Sequence, residues 1–188
     1  GVQTCALPIW HLEEALEAGE SPFTVRSTPA GVSRDVFEAT IVRAEQGDIQ
    51  AIRDCFQFYD ASGNPDDPEA VRWLERGAEL EDDECLDYLG DHHYRAGRAD
   101  EAHACWSRAA ALGNADSMYS LGRAALDVDR DDARRWLDRA QEAGHARSAY
   151  VLAIMAVQDE QHDAMVKWLD RSIELGDTEA MYERGAMH

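Results

Sequence analysis

The sequence has very little lysine, since Lys167 is the only one in 188 residues. Arginine supplies the rest of the 18 basic side chains, which face 38 acidic ones, so the net charge is −20. Phosphate backbones and anionic lipid surfaces repel such a chain. We therefore expect no nucleic-acid partner, whereas a basic peptide or protein is compatible with this charge. A solubilising, highly charged helix surface explains the charge as well.

Long apolar runs are also missing. The sequence contains no stretch of 18 consecutive apolar residues, so we expect no insertion into a membrane. Its four cysteines form no CxxC pair, which favours free thiols in a reducing compartment over a disulfide framework. These features predict a cytoplasmic location.

The common catalytic motifs are missing too. The sequence contains no GxSxG elbow and no HExxH motif, and no Gly-rich phosphate loop follows a strand, because no strand is predicted. The acidic runs 81–84 and 127–132 lack the alternating ligands and central Gly of an EF-hand loop, and their aspartates suit helix N-caps instead. We therefore predict that the chain is not an enzyme, uses no cofactor and holds no metal ion.

One histidine-rich stretch, residues 91–105, needs separate consideration as a metal site. His92 and His93 follow each other in a predicted helix, so their side chains point about 100° apart and do not easily serve one ion. We favour a structural interpretation, with His93 lining the core and with His92 and His103 in solvent. A metal-dependent enzyme that uses this cluster is the weakest of three functional hypotheses.

What the sequence does contain is self-similarity, at spacings of 31 or 32 residues. An Arg follows each periodic Trp, and five residues later three of four copies have a Gly, which ends a helix in the left-handed conformation without steric cost. A small residue comes four positions later, and a Leu four positions after that in three copies. The series are Arg76, Arg108, Arg139 and Arg171; Glu81, Gly113, Gly144 and Gly176; Cys85, Ser117, Ser148 and Ala180; and Leu89, Leu121, Leu152 and Arg184.

Each copy is predicted to form two short helices, here called A and B. Helix A carries the small residue and the Leu, and helix B carries the Trp with an Ala three or four residues before it, on the same helical face. One such pair cannot bury its own apolar stripe, so the copies must stack. The helix-B pairs are Ala70 and Trp73, Ala102 and Trp106, Ala133 and Trp136, and Ala164 and Trp168.

This pattern resembles the Sel1-like repeat family, a relative of the tetratricopeptide repeat. The family motif, A-x-x-x-L-G followed by D-x-x-x-A-x-x-W-x-x-[KR]-A-x-x-x-G, is represented here by CLDYLGDHHYRAG, SMYSLG, DPEAVRWLERG, DDARRWLDRAQEAG and WLDRSIELGD. The departures are Glu81 in a Gly position, Cys55 and Phe56 in the Leu-Gly position, and a one-residue shift of Trp106. The resemblance implies an all-α solenoid of stacked antiparallel helix pairs with a right-handed superhelical curve.

The resemblance also implies a function and a domain organisation. Residues 35–188 are expected to form the repeat solenoid, with the last repeat incomplete, and residues 1–34 a non-repeat segment and linker. The opening GVQTCALPI resembles translated sequencing-adapter read-through, so residues 1–9 are set apart from the fold. The leading hypothesis is a non-enzymatic protein–protein interaction module. The alternative is a regulatory or targeting repeat portion of a larger enzyme whose catalytic domain lies outside this sequence.

Helical geometry then selects a candidate binding face. If the Leu of helix A faces the core, the positions two and five residues before and after it point away from the core, at about 100° per residue. Helix A usually lines the concave surface of a solenoid. Exposed tyrosines there are typical anchors for a partner, although they can instead pack between adjacent A helices. The predicted partner-binding residues are Glu84, Asp87, Asp91, Tyr94, Tyr119, Arg123, Arg147, Tyr150 and Ile154.

Overall fold

A computed structural model describes residues 33–60 and 67–186, and within those ranges all regular structure is helical. The predicted N-terminal segment, apart from its last two residues, lies outside the described residues. The described part forms ten helices: α1 Arg34–Glu45, α2 Ile49–Asp60, α3 Pro68–Glu79, α4 Asp83–Arg95, α5 Ala99–Ala111, α6 Ala115–Ala125, α7 Arg130–Glu142, α8 Ala146–Gln158, α9 His162–Glu174 and α10 Thr178–Ala186.

The helices pack in chain order. Each one from α1 to α9 contacts the next, and α4 also contacts α6. The even-numbered helices carry the predicted helix-A pattern and the odd-numbered ones carry the helix-B pattern. The prediction of an all-α solenoid built from stacked helix pairs is therefore confirmed.

The predicted core positions are buried. Leu89, Leu121 and Leu152 are at most 6 % exposed, and the small residues four positions before them are almost completely covered. The tryptophans differ among themselves, because Trp136 and Trp168 are only partly buried and pack against the edges of the core clusters. Two of the four repeat tryptophans therefore lie at the edge of the core, where they also contact cationic side chains.

Close contact between helices requires glycine at two of the positions that follow the helix-A Leu, as it also does at Gly77 of α3. A Cβ atom on Gly90 would lie 2.4 Å from Cδ1 of Trp106, and one on Gly122 would lie 2.8 Å from Cγ of Leu137. Both distances are shorter than van der Waals contact allows. The small residue after the helix-A Leu therefore lets the side chain of the following helix B lie directly against the helix-A backbone.

The helix ends also follow the predicted pattern. The Gly that ends helix B has a positive φ in each copy that has one, for example 102° at Gly113. Glu81 occupies the same position and adopts φ 55°, and Glu160 adopts φ 57° in the turn between α8 and α9. Asp82 and Asp129 cap the N-termini of α4 and α7 with their side chains, as expected for the acidic runs.

Replacing Glu160 by glycine is expected to stabilise the protein. A side chain in the left-handed region costs about 1–2 kcal/mol, which the greater flexibility of Gly in the unfolded chain partly offsets. We expect Glu160→Gly to raise the free energy of unfolding by about 0.5–1 kcal/mol in urea titrations. Glu81→Gly should gain less, because Oε1 of Glu81 lies 2.6 Å from Nη2 of Arg108 and this ion pair would be lost. A destabilised Glu160→Gly variant would contradict this account.

Candidate functional site

The predicted binding residues lie on α4, α6 and α8, and none of them is buried. We call these side chains the helix-A strip. Tyr94 is 58 % exposed and Ile154 is 41 % exposed, and Glu84 and Arg123 are also exposed. The remaining strip residues are partly buried: Asp87, Asp91, Tyr119, Arg147 and Tyr150.

One part of the strip encloses a pocket of about 280 Å³ between α4, α5 and α6. It brings together four of the predicted residues. Trp106 from helix B completes the aromatic part of the wall, because the centroid of its ring system lies 5.5 Å from that of Tyr94. The pocket is lined by Asp91, Tyr94, Trp106, Tyr119, Ser120, Arg123 and Ala124.

The indole of Trp106 forms the base of this pocket. It is only 4 % exposed, and its Nε1–H makes no hydrogen bond of good geometry. The indole still lies close enough to the Asp91 carboxylate to favour its charged form. The Nε1 atom is shielded from solvent and lies against the backbone of α4, because a Cβ atom on Gly90 would be 2.5 Å from it.

Negative charge is concentrated along this part of α4. Burial raises the pKa of Asp91, and the nearby Asp116 adds to this effect. Burial also raises the pKa of Asp87 to about 6, although Oγ of Ser117 donates a hydrogen bond of 2.5 Å to its carboxylate. The charges that raise this pKa further belong to Asp91, Asp116 and Asp83. The carboxylates between α4 and α6 therefore repel one another.

Removing the Asp87 charge is expected to stabilise the protein above pH 6. The pKa in the folded state, about 6, lies above the ordinary value of 3.8, so wild-type stability falls as the pH rises from about 4 to 6. Asn at this position keeps an acceptor for Ser117 and has no charge to desolvate. We expect Asp87→Asn to gain about 1–2 kcal/mol at pH 7.5 and nothing at pH 3.5, in thermal melts at both pH values. An equal gain at both pH values would contradict this account.

Glu84 lies away from the pocket and has a cationic partner within the chain. The Arg53 guanidinium lies 2.7 Å from Oε1 of Glu84 and 2.6 Å from Oδ2 of Asp82. Arg53 is partly buried on α2, whereas both carboxylates lie at the start of α4, so these ion pairs join two successive repeats. Glu84 is therefore engaged by an internal cation, which the sequence pattern does not reveal.

The α8 part of the strip is separate from the pocket. The guanidinium carbon of Arg147 lies 4.7 Å from the centroid of the Tyr150 ring, and Arg147 also pairs with Glu179 of α10. Ile154 is exposed one helical turn after Tyr150. The strip thus divides into an acidic aromatic pocket on α4 and α6 and a cationic and apolar surface on α8.

Tyr119 belongs to both the pocket and the packing between repeats. Its ring stacks on that of His145, with centroids 4.3 Å apart, and it contacts the buried clusters of two adjacent repeats. His145 itself caps α8, and its burial lowers its pKa. The alternative that the tyrosines pack between neighbouring A helices therefore describes Tyr119 in part, whereas Tyr94 is mostly free of such packing.

Three pocket residues were not predicted from the sequence: Ser120, Ala124 and Trp106, the last of which the repeat assigns to the core alone. The contribution of Trp106 depends on how far α5 lies from α4 and α6, which a local pattern does not encode. The one signal in the sequence is the one-residue shift of Trp106 against the other tryptophans.

The histidine and cysteine predictions have mixed outcomes. Contrary to expectation, His92 is partly buried, and so is His93, whereas His103 is exposed as predicted. In residues 33–60 and 67–186 no cluster of three or more His, Cys, Asp or Glu side chains could hold a metal ion. The cysteines in those ranges, Cys55, Cys85 and Cys105, are free and buried, and burial raises the pKa of Cys55 to about 12.

A larger groove of about 870 Å³ lies between α7 and α9, on the helix-B side. Its polar side chains engage one another: Arg171 donates a hydrogen bond of 3.1 Å to Gln141 and lies 3.3 Å from Glu174.

No helix in the described ranges is long and apolar enough to cross a membrane.

Comparisons with known proteins give no matching family model and no matching curated protein. Solved structures do match. The chain is similar to c5321, a protective antigen present in uropathogenic Escherichia coli strains that displays an SLR fold, with a TM-score of 0.70 and 21 % identity over 80 % of this chain and 36 % of that one. The chain therefore spans just over a third of the length of c5321.

Two further structures agree. MamA matches with a TM-score of 0.55 and 19 % identity, over 81 % of this chain and 90 % of that one. A Sel1 repeat protein from Oxalobacter formigenes matches with a TM-score of 0.54 and 20 % identity, over 77 % and 71 % of the two chains. The chain therefore has the fold of Sel1-like repeat proteins.

Proposed function

We propose that this chain is a non-enzymatic protein–protein interaction module that binds a peptide or protein partner along the helix-A strip. The observation that carries the proposal is the convergence of Asp91, Tyr94, Trp106 and Tyr119 on one pocket. Aromatic side chains beside a partly desolvated charge are typical of the small regions that dominate binding energy at interfaces.

The packing of the helices supports this choice of face. Helices on the inner side of a curved stack lie closer together than those on the outer side, and α4 contacts α6 directly. A strip on the inner side can contact an extended partner over several repeats at once. We therefore propose that the helix-A strip is the concave surface.

The proposal is tested by capture followed by affinity measurement. The full chain is immobilised, proteins retained from a lysate of the source organism are identified by mass spectrometry, and each is then purified. Its Kd is measured for wild type, for Tyr94→Ala and for Tyr88→Ala. Tyr88 is a matched control, because it lies on the same helix, is also exposed and contacts Phe56 outside the pocket.

We expect Tyr94→Ala to weaken binding by about tenfold or more, with unchanged helicity by circular dichroism, and Tyr88→Ala to change it little. Wild-type affinity in Tyr94→Ala, or an equal loss of affinity in both variants, would contradict binding at this pocket.

A further inference from the structure

We propose that His145 is a pH-sensitive N-cap of α8. Its neutral imidazole holds the start of α8 against Tyr119 of α6, and its protonation loosens this junction. The junction lies where the acidic aromatic pocket meets the α8 surface, so the pH controls whether the helix-A strip is continuous. This inference goes beyond the proposed function, because it concerns the chain alone and needs no partner.

His145 is an exceptional residue for its position in the repeat. In α2, α4, α6 and α10 the side chain that accepts hydrogen bonds from the first backbone N–H groups is a carboxylate or an amide: Asp48, Asp82, Asn114 and Asp177. In α8 an imidazole has this role, because Nδ1 of His145 accepts from the backbone N–H of Ser148 over 3.2 Å. Imidazole is the one acceptor of this set that ordinarily titrates close to neutral pH.

The cap requires the neutral tautomer with its proton on Nε2. Nδ1 lies 2.9 Å from Oγ of the buried Ser148 as well as accepting from its backbone N–H, and Nε2 lies 3.4 Å from Oδ1 of Asp116. When Nδ1 gains a proton, the Ser148 hydroxyl can rotate and accept, whereas the backbone N–H cannot. That N–H keeps only its 3.2 Å bond to the carbonyl of His145. The new positive charge also lies at the N-terminus of α8, where the helix dipole opposes it.

Two carboxylates face the imidazole and favour its charged form, Asp116 of α6 and Asp177 in the turn before α10. The Asp116 side chain is 72 % exposed, so water weakens its attraction. Asp177 already accepts hydrogen bonds from the backbone N–H groups of Glu179 and Ala180, and it lies 3.9 Å from the Arg147 guanidinium. Burial of the imidazole outweighs both carboxylates and lowers its pKa below the ordinary value of 6.5.

Tyr119 connects the cap to the rest of the helix-A strip. Its ring and that of His145 lie within 28° of parallel, with centroids 4.3 Å apart. Tyr119 also packs against the buried clusters of two adjacent repeats. The ring attracts an imidazolium, but the stacked arrangement depends on the place at which the cap holds the imidazole. Loss of the cap therefore removes part of the packing surface of Tyr119.

The cap is expected to weaken at acid pH. Because the capped state binds the proton less readily than the opened one, the cap is fully formed above about pH 6.5 and weakens as the pH falls through the lower pKa of the folded state. The titration of Asp87 has the opposite effect on stability, since its pKa is raised to about 6. Total stability therefore does not isolate the cap, and the measurement has to be local.

The test is amide hydrogen exchange of the full chain by NMR at pH 5.5 and 7.5, expressed as protection factors. The Ser148 amide reports the cap of α8, and the Cys85 amide is the internal control, because it donates over 2.9 Å to Asp82. Although burial raises it, hydrogen bonds lower the pKa of Asp82 overall, so this cap stays charged. His145→Asn keeps an acceptor and cannot titrate, and His103→Asn removes an exposed histidine instead.

We expect the protection factor of Ser148 to fall by about threefold or more from pH 7.5 to 5.5, relative to that of Cys85. The Cε1–H resonance of His145 should titrate with a midpoint below 6.5, and the Tyr119 ring resonances should shift with the same midpoint. In His145→Asn the fall in Ser148 protection should disappear, whereas His103→Asn should retain it.

An unchanged Ser148 protection factor, a fall that persists in His145→Asn, or a His145 midpoint at or above 6.5 would overturn the inference. Tyr119 resonances that do not follow His145 would overturn the link between the cap and the helix-A strip. None of these results depends on a partner, so failure of the proposed function is recognised separately, from the affinities of Tyr94→Ala and its control.

Discussion

Replacing Trp73 by alanine is expected to lower the free energy of unfolding by about 3–5 kcal/mol, because a fully buried aromatic side chain would leave a cavity. Trp73 is 0 % exposed and is the largest of the fully buried side chains. It belongs to the core cluster that joins α1 through α5. The loss therefore affects contacts between successive repeats, which are the contacts that hold a solenoid together.

The measurement is a urea titration followed by far-ultraviolet circular dichroism, with Trp136→Ala as the matched control. Trp136 occupies the equivalent repeat position but is only partly buried. We expect Trp136→Ala to lower the free energy of unfolding by less than half as much as Trp73→Ala, because folding buries less apolar surface at Trp136. Similar losses in both variants would contradict the burial argument.

A single methyl group at Gly90 is expected to destabilise the protein by about 1–3 kcal/mol. The added Cβ would lie 2.4 Å from Cδ1 and 2.5 Å from Nε1 of Trp106. These atoms belong to a rigid, buried ring, so it cannot move away as the end of a flexible chain could. Either α4 and α5 separate or the indole shifts, and both outcomes lose packing.

The control for Gly90→Ala is Gly185→Ala, since Gly185 is helical and a Cβ there meets nothing within 4 Å. Ala is the better helix former, so this change should be neutral or slightly stabilising. Combining Gly90→Ala with Trp106→Leu should cost less than the sum of the single changes, because the smaller side chain leaves room for the methyl group. Additive costs in urea titrations would show that Gly90 does not act through Trp106.

The repeat pattern in the sequence was sufficient to predict the fold. The spacing of Leu89, Leu121 and Leu152 predicts buried positions, and all three are buried. The Gly at the end of helix B predicts a left-handed backbone, and even Glu81 adopts it. These features depend on helical periodicity and on local backbone sterics, which a sequence displays directly.

The site could be predicted only in part. The helical offsets place Asp91, Tyr94, Tyr119 and Arg123 outside the core, and the structure brings these four to one pocket. Contacts between repeats could not be foreseen, such as the bond from Ser117 to Asp87, which joins residues 30 positions apart. The position of Trp106 is of the same kind, because it depends on the distances between α4, α5 and α6.

The measurement that tests the central claim most directly is site-specific photo-crosslinking to the captured partner. Benzoylphenylalanine is placed at Tyr94 and Ile154 in the helix-A strip, and at the exposed Glu75 of α3 and Glu142 of α7 on the helix-B side. The account predicts covalent adducts with the partner at Tyr94 and Ile154 and none at Glu75 and Glu142. Adducts at the helix-B positions, without any at Tyr94, would contradict it.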